Sequence, residues 1–273
     1  MLDRGPLTTM TAAAFLLVGL LAAPPLAGQR LRFGISPGEL ELVPGPGGTA
    51  SGTLLVANYT PQRVRFQVQV ADIFLRASGE LDVLPPGKLP WSVAAMTRLT
   101  PAEFELEGGQ AMAVRVAVTV PADARGGRYG VIVVSPTPVF QAGGPRGTVS
   151  IAVPRLAARL LVPIRGTEVL RGAITGMVAA PRPGRRGADV KVIFRNGGNV
   201  HVRAQGEVVI LGADGGLLAR LPVAEATILP GGWREFRVAW DAPPLSPGAY
   251  TVRAVLDYGA DALVAGELTF TVR

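Results

Sequence analysis

Cysteine is absent from this 273-residue chain, and histidine occurs once, as His201. Without cysteine there is neither a disulfide nor a thiol for lipid attachment, so the fold must be held by packing alone. A single imidazole excludes zinc sites built from Cys and His. It also leaves the usual sets of nucleophile, base and orienter almost without a base, so no catalytic role is expected. Aspartates fall in turn contexts, such as Asp123, Asp214 and Asp261, where that residue serves turn chemistry. Aromatic residues make up only 6% of the chain, and no segment sustains a helical period. What is abundant is Gly (35 residues) and Pro (24 residues), with Val and Ala dominating the apolar set, a composition of short strands and tight turns. No cofactor and no metal are expected.

Only one long apolar run occurs, at residues 11–23. It is shorter than the roughly 20 residues of a spanning helix and is stopped by Pro24 and Pro25. Arg4 precedes it and small residues follow it up to Gln29, the three-part layout of a secretory signal peptide with cleavage near Gly28. Residues 1–28 are therefore expected to be a leader, and the rest an exported protein that does not span a membrane. The leader carries one Arg and one Asp, so the formal charge of +7 survives its removal. That charge would attract anionic envelope polymer. Its densest spot, Arg182, Arg185 and Arg186 in PRPGRRG, reads as a loop. A nucleic-acid surface would show a wider basic stripe with interleaved aromatics, so no nucleic-acid partner is expected.

Two stretches repeat one plan. The first is TLLVANYTPQRVRFQVQV followed by LEGGQAMAVRVAVTVPADARGGRYG, and the second is DVKVIFRNGGNVHVRAQGEVVI followed by ILPGGWREFRVAWDAPPLSPGAYTV. Each gives alternating strands around an Asn-containing turn, a Gly-Gly turn, another alternating strand, a Pro-rich turn and a Gly-x-Tyr step into one more strand. Val64, Phe66, Val68 and Val70 alternate with Arg65, Gln67 and Gln69, which puts the apolar side chains on one sheet face. The length is too great for one sandwich of roughly 100 residues and suits two. The expected architecture is all-β: two tandem immunoglobulin-like β-sandwiches preceded by a signal peptide, with domains at 29–163 and 164–273 and a hinge at 164–167.

In the first domain, strands are expected at 31–35, 39–43, 52–58, 64–70, 112–120 and 131–134, with two more inside 91–106. A further extended segment, 149–162, is interrupted by Pro154 and should lie at an edge or carry a bulge there. The second domain gives strands at 169–178, 190–195, 200–211, 216–221, 234–240, 250–258 and 268–272. In the run Val200-His201-Val202 the histidine alternates with valines and is expected on the solvent side of its sheet. Tyr129 and Tyr250 each stand where an immunoglobulin-like sandwich keeps a tyrosine whose hydroxyl ties a turn back to the backbone. Asn58-Tyr59-Thr60 spells a glycosylation sequon, but the turn after its strand already explains the asparagine.

These segments resemble the PapD-like periplasmic chaperones of pilus and fimbrial assembly. The resemblance runs through ISPGELEL, GTLLVANYTPQRVRFQVQV, RYGVIVVSPTP, VSIAVPRLAARLLVP and VIFRNGGNVHVRAQG, in order over the mature chain. It implies an exported, non-enzymatic chaperone of the periplasm or cell envelope, which binds a secreted β-rich subunit of a pilus or surface fibre by donating an edge strand. Val149, Ile151 and Val153 would then be the client-pairing positions; filling their own core is the other role open to them. The resemblance also implies two basic residues that grip the client's terminal carboxylate. Arg159 stands where the second would be, with a guanidinium shaped for a carboxylate. At the first, this chain has Glu39, a charge reversal that would pair with Arg159; Arg32 is the substitute nearby. An envelope-associated immunoglobulin-like adhesion or cell-wall-binding module is the alternative function.

Overall fold

A computed structural model describes residues 32–138, 155–182, 187–241 and 245–272. The expected leader, the loop arginines Arg185 and Arg186, Pro154, and the pairing positions Val149, Ile151 and Val153 lie outside these residues. The described residues belong to one compact unit, are built of strands, and include a single 3-10 turn, Ala94–Met96. Among them, no helix is long and apolar enough to cross a membrane.

The first sandwich comprises β1 (Phe33–Ser36), β2 (Glu39–Glu41), β3 (Thr49–Asn58), β4 (Val64–Leu75), β5 (Leu81–Leu84), β6 (Thr97–Thr100), β7 (Glu103–Leu106), β8 (Ala111–Thr119), β9 (Gly127–Pro138) and β10 (Leu156–Pro163). One sheet runs β1-β3-β8-β6, and the other β2-β10-β9-β4-β5 with β7 also on β4. The Ser36-Pro37-Gly38 break lets the opening segment change sheets, so that β1 pairs antiparallel with β3 and β2 pairs parallel with β10. The alternation in β4 reads as expected: Val64, Phe66 and Val68 point inward, while Arg65, Gln67 and Gln69 face water. The inward faces of both sheets bury Leu54, Phe66, Val116, Ile132 and Leu160 in one core.

Sandwich two comprises β11 (Gly172–Pro181), β12 (Ala188–Asn196), β13 (Val202–Leu211), β14 (Leu217–Ile228), β15 (Trp233–Trp240), β16 (Gly248–Asp257) and β17 (Val264–Val272). Its sheets run β11-β12-β15 and β14-β13-β16-β17, around a core that includes Phe194, Ile210, Val252 and Leu256. Several boundaries differ from the sequence reading. In the first sandwich β3, β4 and β9 extend past the expected 52–58, 64–70 and 131–134, and β5 was not anticipated; in the second, β11 begins at Gly172 instead of 169 and the strand expected at 216–221 continues to Ile228. Strand β14 outruns its apolar alternation because register shifts against β13 let pairing resume after Ala204, and β5 is a short edge strand whose partner β4 supplies the pairing.

The two halves repeat at the level of single hydrogen bonds. Asn58 ends β3, and its Nδ2 donates to the Gln62 and Leu106 carbonyls at 2.8 and 3.1 Å while Oδ1 accepts the Thr60 N–H at 3.0 Å. Asn196 ends β12, and its Nδ2 donates to the Val200 and Ile228 carbonyls at 2.8 and 2.9 Å while Oδ1 accepts the Gly198 N–H at 2.9 Å. Across each turn a glycine with positive φ, Gly109 or Gly231, donates its N–H to the asparagine's own carbonyl at 2.8 or 2.9 Å. Both asparagines are fully buried, so the sequon at Asn58 is a strand-end lock and its amide is not offered to solvent.

A third apolar cluster covers the other face of the six-stranded sheet. Ile73, Tyr129, Val131, Val133 and Leu161 pack there with Leu229 of the second sandwich. This is why Val131–Val134 is a continuous apolar run: the strand is buried on both faces.

Candidate functional site at the junction of the sandwiches

The strands β2, β10 and β13 bring a charged cluster together. Parallel pairing sets Glu39 opposite Arg159, and the guanidinium stands 2.9 Å from Glu39 Oε2, outside hydrogen-bond direction, so the contact is electrostatic. From β13 of the second sandwich, Arg203 donates to Glu39 Oε1 at 2.7 Å and to Glu41 Oε2 at 2.6 Å. Hydrogen bonding to Glu39, and then to Glu41, pushes the Arg203 guanidinium further up from its ordinary value, so it stays a cation. Alternation along β2 makes this possible: Glu39 and Glu41 lie on one face, and Leu40 between them is buried in the core.

His201 corrects the sequence reading. It is 8% exposed, not solvent-facing, and its ring meets Tyr129 edge to face at 5.7 Å. The alternation did place it opposite the valines of its own sheet, but that outer side is where the first sandwich docks. Burial lowers the imidazole pKa, and Glu41, 3.7 Å from Nε2, acts in the opposite direction. Nδ1 has no hydrogen-bond partner.

The two tyrosines divide their labour. Tyr250 donates to the Ser246 carbonyl at 2.9 Å, tying its own turn as expected. Tyr129 instead accepts the backbone N–H of His201 at 2.6 Å, across the junction. Its ring lies over Gly127, leaving no room there for a Cβ, and burial raises its phenol pKa. The turn it was expected to tie is held by other means: the Gly126 N–H goes to Thr167 Oγ1 at 2.9 Å and the Gly127 N–H to the Asn199 carbonyl at 2.8 Å.

The pairing of Arg159 with Glu39 was legible in the sequence. Arg203 and Glu41 were not, because only the docking of two sandwiches makes residues 162 apart in sequence neighbours. Asp72 also departs from the expectation for aspartates. It is fully buried on β4 and accepts the Lys88 and Leu89 N–H groups at 2.7 and 2.8 Å and the Ser92 hydroxyl, fastening the loop before the 3-10 turn. Arg182 of the basic loop pairs with Asp189 and Asp241. Arg32, by contrast, enters no ion pair among the described residues and takes no part in the junction cluster.

Among the described residues, one edge of β10 is open over Leu156–Ala158. Strand β2 pairs only with Arg159–Leu161, whereas β9 pairs with all of Leu156–Pro163. The Arg159 N–H points to β2, donating to the Gly38 carbonyl at 3.0 Å. By the two-residue period the Ala157 N–H points to the same side, where no strand of the described residues pairs with it.

No family model matches the chain, and no curated protein matches it. Among solved structures it is similar to PapD-like fimbrial chaperones. The class 5 fimbriae chaperone CfaA is 12% identical with a TM-score of 0.47, over 88% of this chain and 98% of that one. A chaperone–tip adhesin complex of CFA/I fimbriae gives 15% and 0.45, over 87% and 98%. The CsuC–CsuE chaperone–tip adhesion subunit complex of Acinetobacter baumannii gives 13% and 0.45, over 86% and 97%.

Proposed function

We propose that this protein is an exported, non-enzymatic chaperone that binds β-rich subunits of a pilus or surface fibre by pairing with them along β10. The observation that carries the reading is the open side of Leu156–Ala158, flanked by a strand that stops short at Arg159. An unpaired strand edge invites a partner strand, and the alternation of Val149, Ile151 and Val153 in the sequence before β10 would supply side chains for a client's apolar pockets. Two sandwiches would form the domains, 29–163 and 164–273, working in the periplasm or envelope after loss of residues 1–28.

In this reading Arg159 meets the client's terminal carboxylate only by exchanging Glu39 for it. Capture would then rest on strand pairing more than on the carboxylate anchor. The test is co-purification from the exported fraction. Ile151→Asp, which sets a charge into the pairing line, should abolish recovery of a secreted subunit; undiminished recovery overturns the reading. The alternative, an envelope-bound adhesion module, rests on the net charge of +7 and on the charge reversal at Glu39. It requires retention on purified envelope that moderate salt removes.

A further inference from the structure

Two clefts meet at Trp233. The first, about 500 Å³, lies where the sandwiches join and is walled by Phe74, Leu75, Arg76, Trp91 and Leu229. The second, about 490 Å³, lies on the outer face of β11 and β12, with Thr175, Ile193 and Arg195 in its wall. Trp233 and Gly231 line both, so the two form one groove. It is continuous with the apolar joint between the sandwiches, for Leu229 belongs to that cluster and Leu75 and Trp91 pack against it. Yet Phe74 and Trp233 remain 44% and 48% exposed, and apolar surface gathered in one cleft marks an interaction site where the same residues scattered singly would not.

The walls are fixed before any guest arrives. The Gly231 and Gly232 N–H groups donate to the Asn196 and Leu229 carbonyls at 2.9 and 3.0 Å, and the Glu235 N–H to the Ala77 carbonyl at 3.0 Å. Trp91 Nε1 donates to the Ile73 carbonyl at 3.2 Å. Arg76 is held by both carboxylate oxygens of Asp82, at 2.8 and 3.0 Å, so the first cleft offers rings and no free charge. Arg195 in the second is exposed, and its side chain enters no ion pair or hydrogen bond among the described residues.

We infer that this groove docks a polypeptide segment in which an aromatic side chain, seated among Phe74, Trp91 and Trp233, stands within a residue or two of a carboxylate that reaches Arg195. The ring adds apolar area at little rotamer cost, and the carboxylate matches the guanidinium, whereas a basic segment would set like charge against it. The spacing follows from the register. Arg195 and Trp233 are direct partners across β12 and β15, so their backbones stand about 5 Å apart, one to two residues of an extended guest. The inference goes beyond subunit capture and does not depend on it, since β9 separates β4 from β10 and the groove lies apart from the open edge.

Trp91 and Trp233 are two of the chain's three tryptophans, and the third, Trp240, is packed in the second core. Intrinsic fluorescence of the intact protein therefore reads the groove. Titration at pH 7 with Ac-Phe-Asp-NH2 and Ac-Asp-Phe-NH2 should give a saturable change for at least one order of residues. The matching Asn peptide should bind about two- to fivefold more weakly, the range of one exposed charge pair, and the matching Ala-Asp peptide should give no change. Arg195→Gln should bring the acidic peptide down to its Asn counterpart and leave that counterpart unaltered, a pattern that general unfolding would not produce. Phenylacetate, which brings a ring and a carboxylate without a peptide backbone, should bind more weakly than the better peptide. No saturable change with either acidic peptide, binding that survives loss of the ring or is indifferent to the carboxylate, a difference between Asp and Asn peptides that persists in Arg195→Gln, or phenylacetate binding as tightly as the better peptide overturns the inference, whatever becomes of subunit capture.

Discussion

Tyr129 and Tyr250 follow the same Gly-x-Tyr step, yet their hydroxyls do different work, and stability measurements should separate them. Tyr129→Phe strands the buried His201 N–H and should cost about 1–3 kcal/mol in urea unfolding. Tyr250→Phe leaves a carbonyl on exposed Ser246 that water can satisfy, so its cost should be smaller, about 0.5–1.5 kcal/mol. Equal costs would contradict the assignment of Tyr129 to the junction. His201 adds a pH dependence. Its folded pKa lies below the ordinary value because of burial, so as pH falls through about 6.5 the unfolded chain takes up a proton that the folded chain refuses. Stability should therefore rise with pH up to about 6.5 and level off above it, and His201→Gln should flatten that slope in unfolding curves recorded between pH 5 and 7.5.

At this scale the sequence was legible wherever a residue's role is local. Asn58 at its turn, Tyr250 on its own strand and Arg159 beside Glu39 all act within a few positions or within one pair of strands. It misled for His201 and Tyr129, because alternation says which side of a sheet a residue takes and is silent about what covers that side. The expected solvent face of β13 is the docking face, so the same period-2 signal that sorted Val200 and Val202 from His201 ended in burial for all three.

For whole elements, the strand-end asparagines and the edge of β10 carry the predictions. Asn196→Leu removes the donor to the Val200 and Ile228 carbonyls and the acceptor for the Gly198 N–H, and Asn58→Leu removes the corresponding bonds to Gln62, Leu106 and Thr60 in the first sandwich, together with those to the Glu107 carbonyl and the Thr60 hydroxyl. Each should cost about 2–4 kcal/mol, and a near-neutral result for either would deny that the two turns are equivalent locks. Ala157→Pro is a test of the opposite kind. Its N–H faces the open side, where proline is tolerated, so the urea midpoint should stay within experimental error of the wild type while subunit recovery falls. A large loss of stability would mean that the amide is paired after all. The strongly alternating β8 could be read from sequence almost to the residue, and β4 as far as its alternation lasts, although the strand itself continues to Leu75. The short β5 could not, since four residues at an edge hold no periodic signal and owe their structure to β4.

The molecule as a whole couples two cores through a third. Leu229 from the second sandwich joins Tyr129, Val131 and Leu161 on the outer face of the six-stranded sheet, while Arg203 reaches back to Glu39 and Glu41 on β2. The junction thereby consumes the charges beside Arg159, so in the proposed reading strand pairing along β10 is the main route to a client. The most direct test is affinity capture of the wild-type protein from the exported fraction, followed by mass spectrometry of what it retains. The account predicts a secreted β-rich subunit with an incomplete set of strands, lost in both Ile151→Asp and Ala157→Pro; capture of no such subunit, or the same capture by all three proteins, would contradict it.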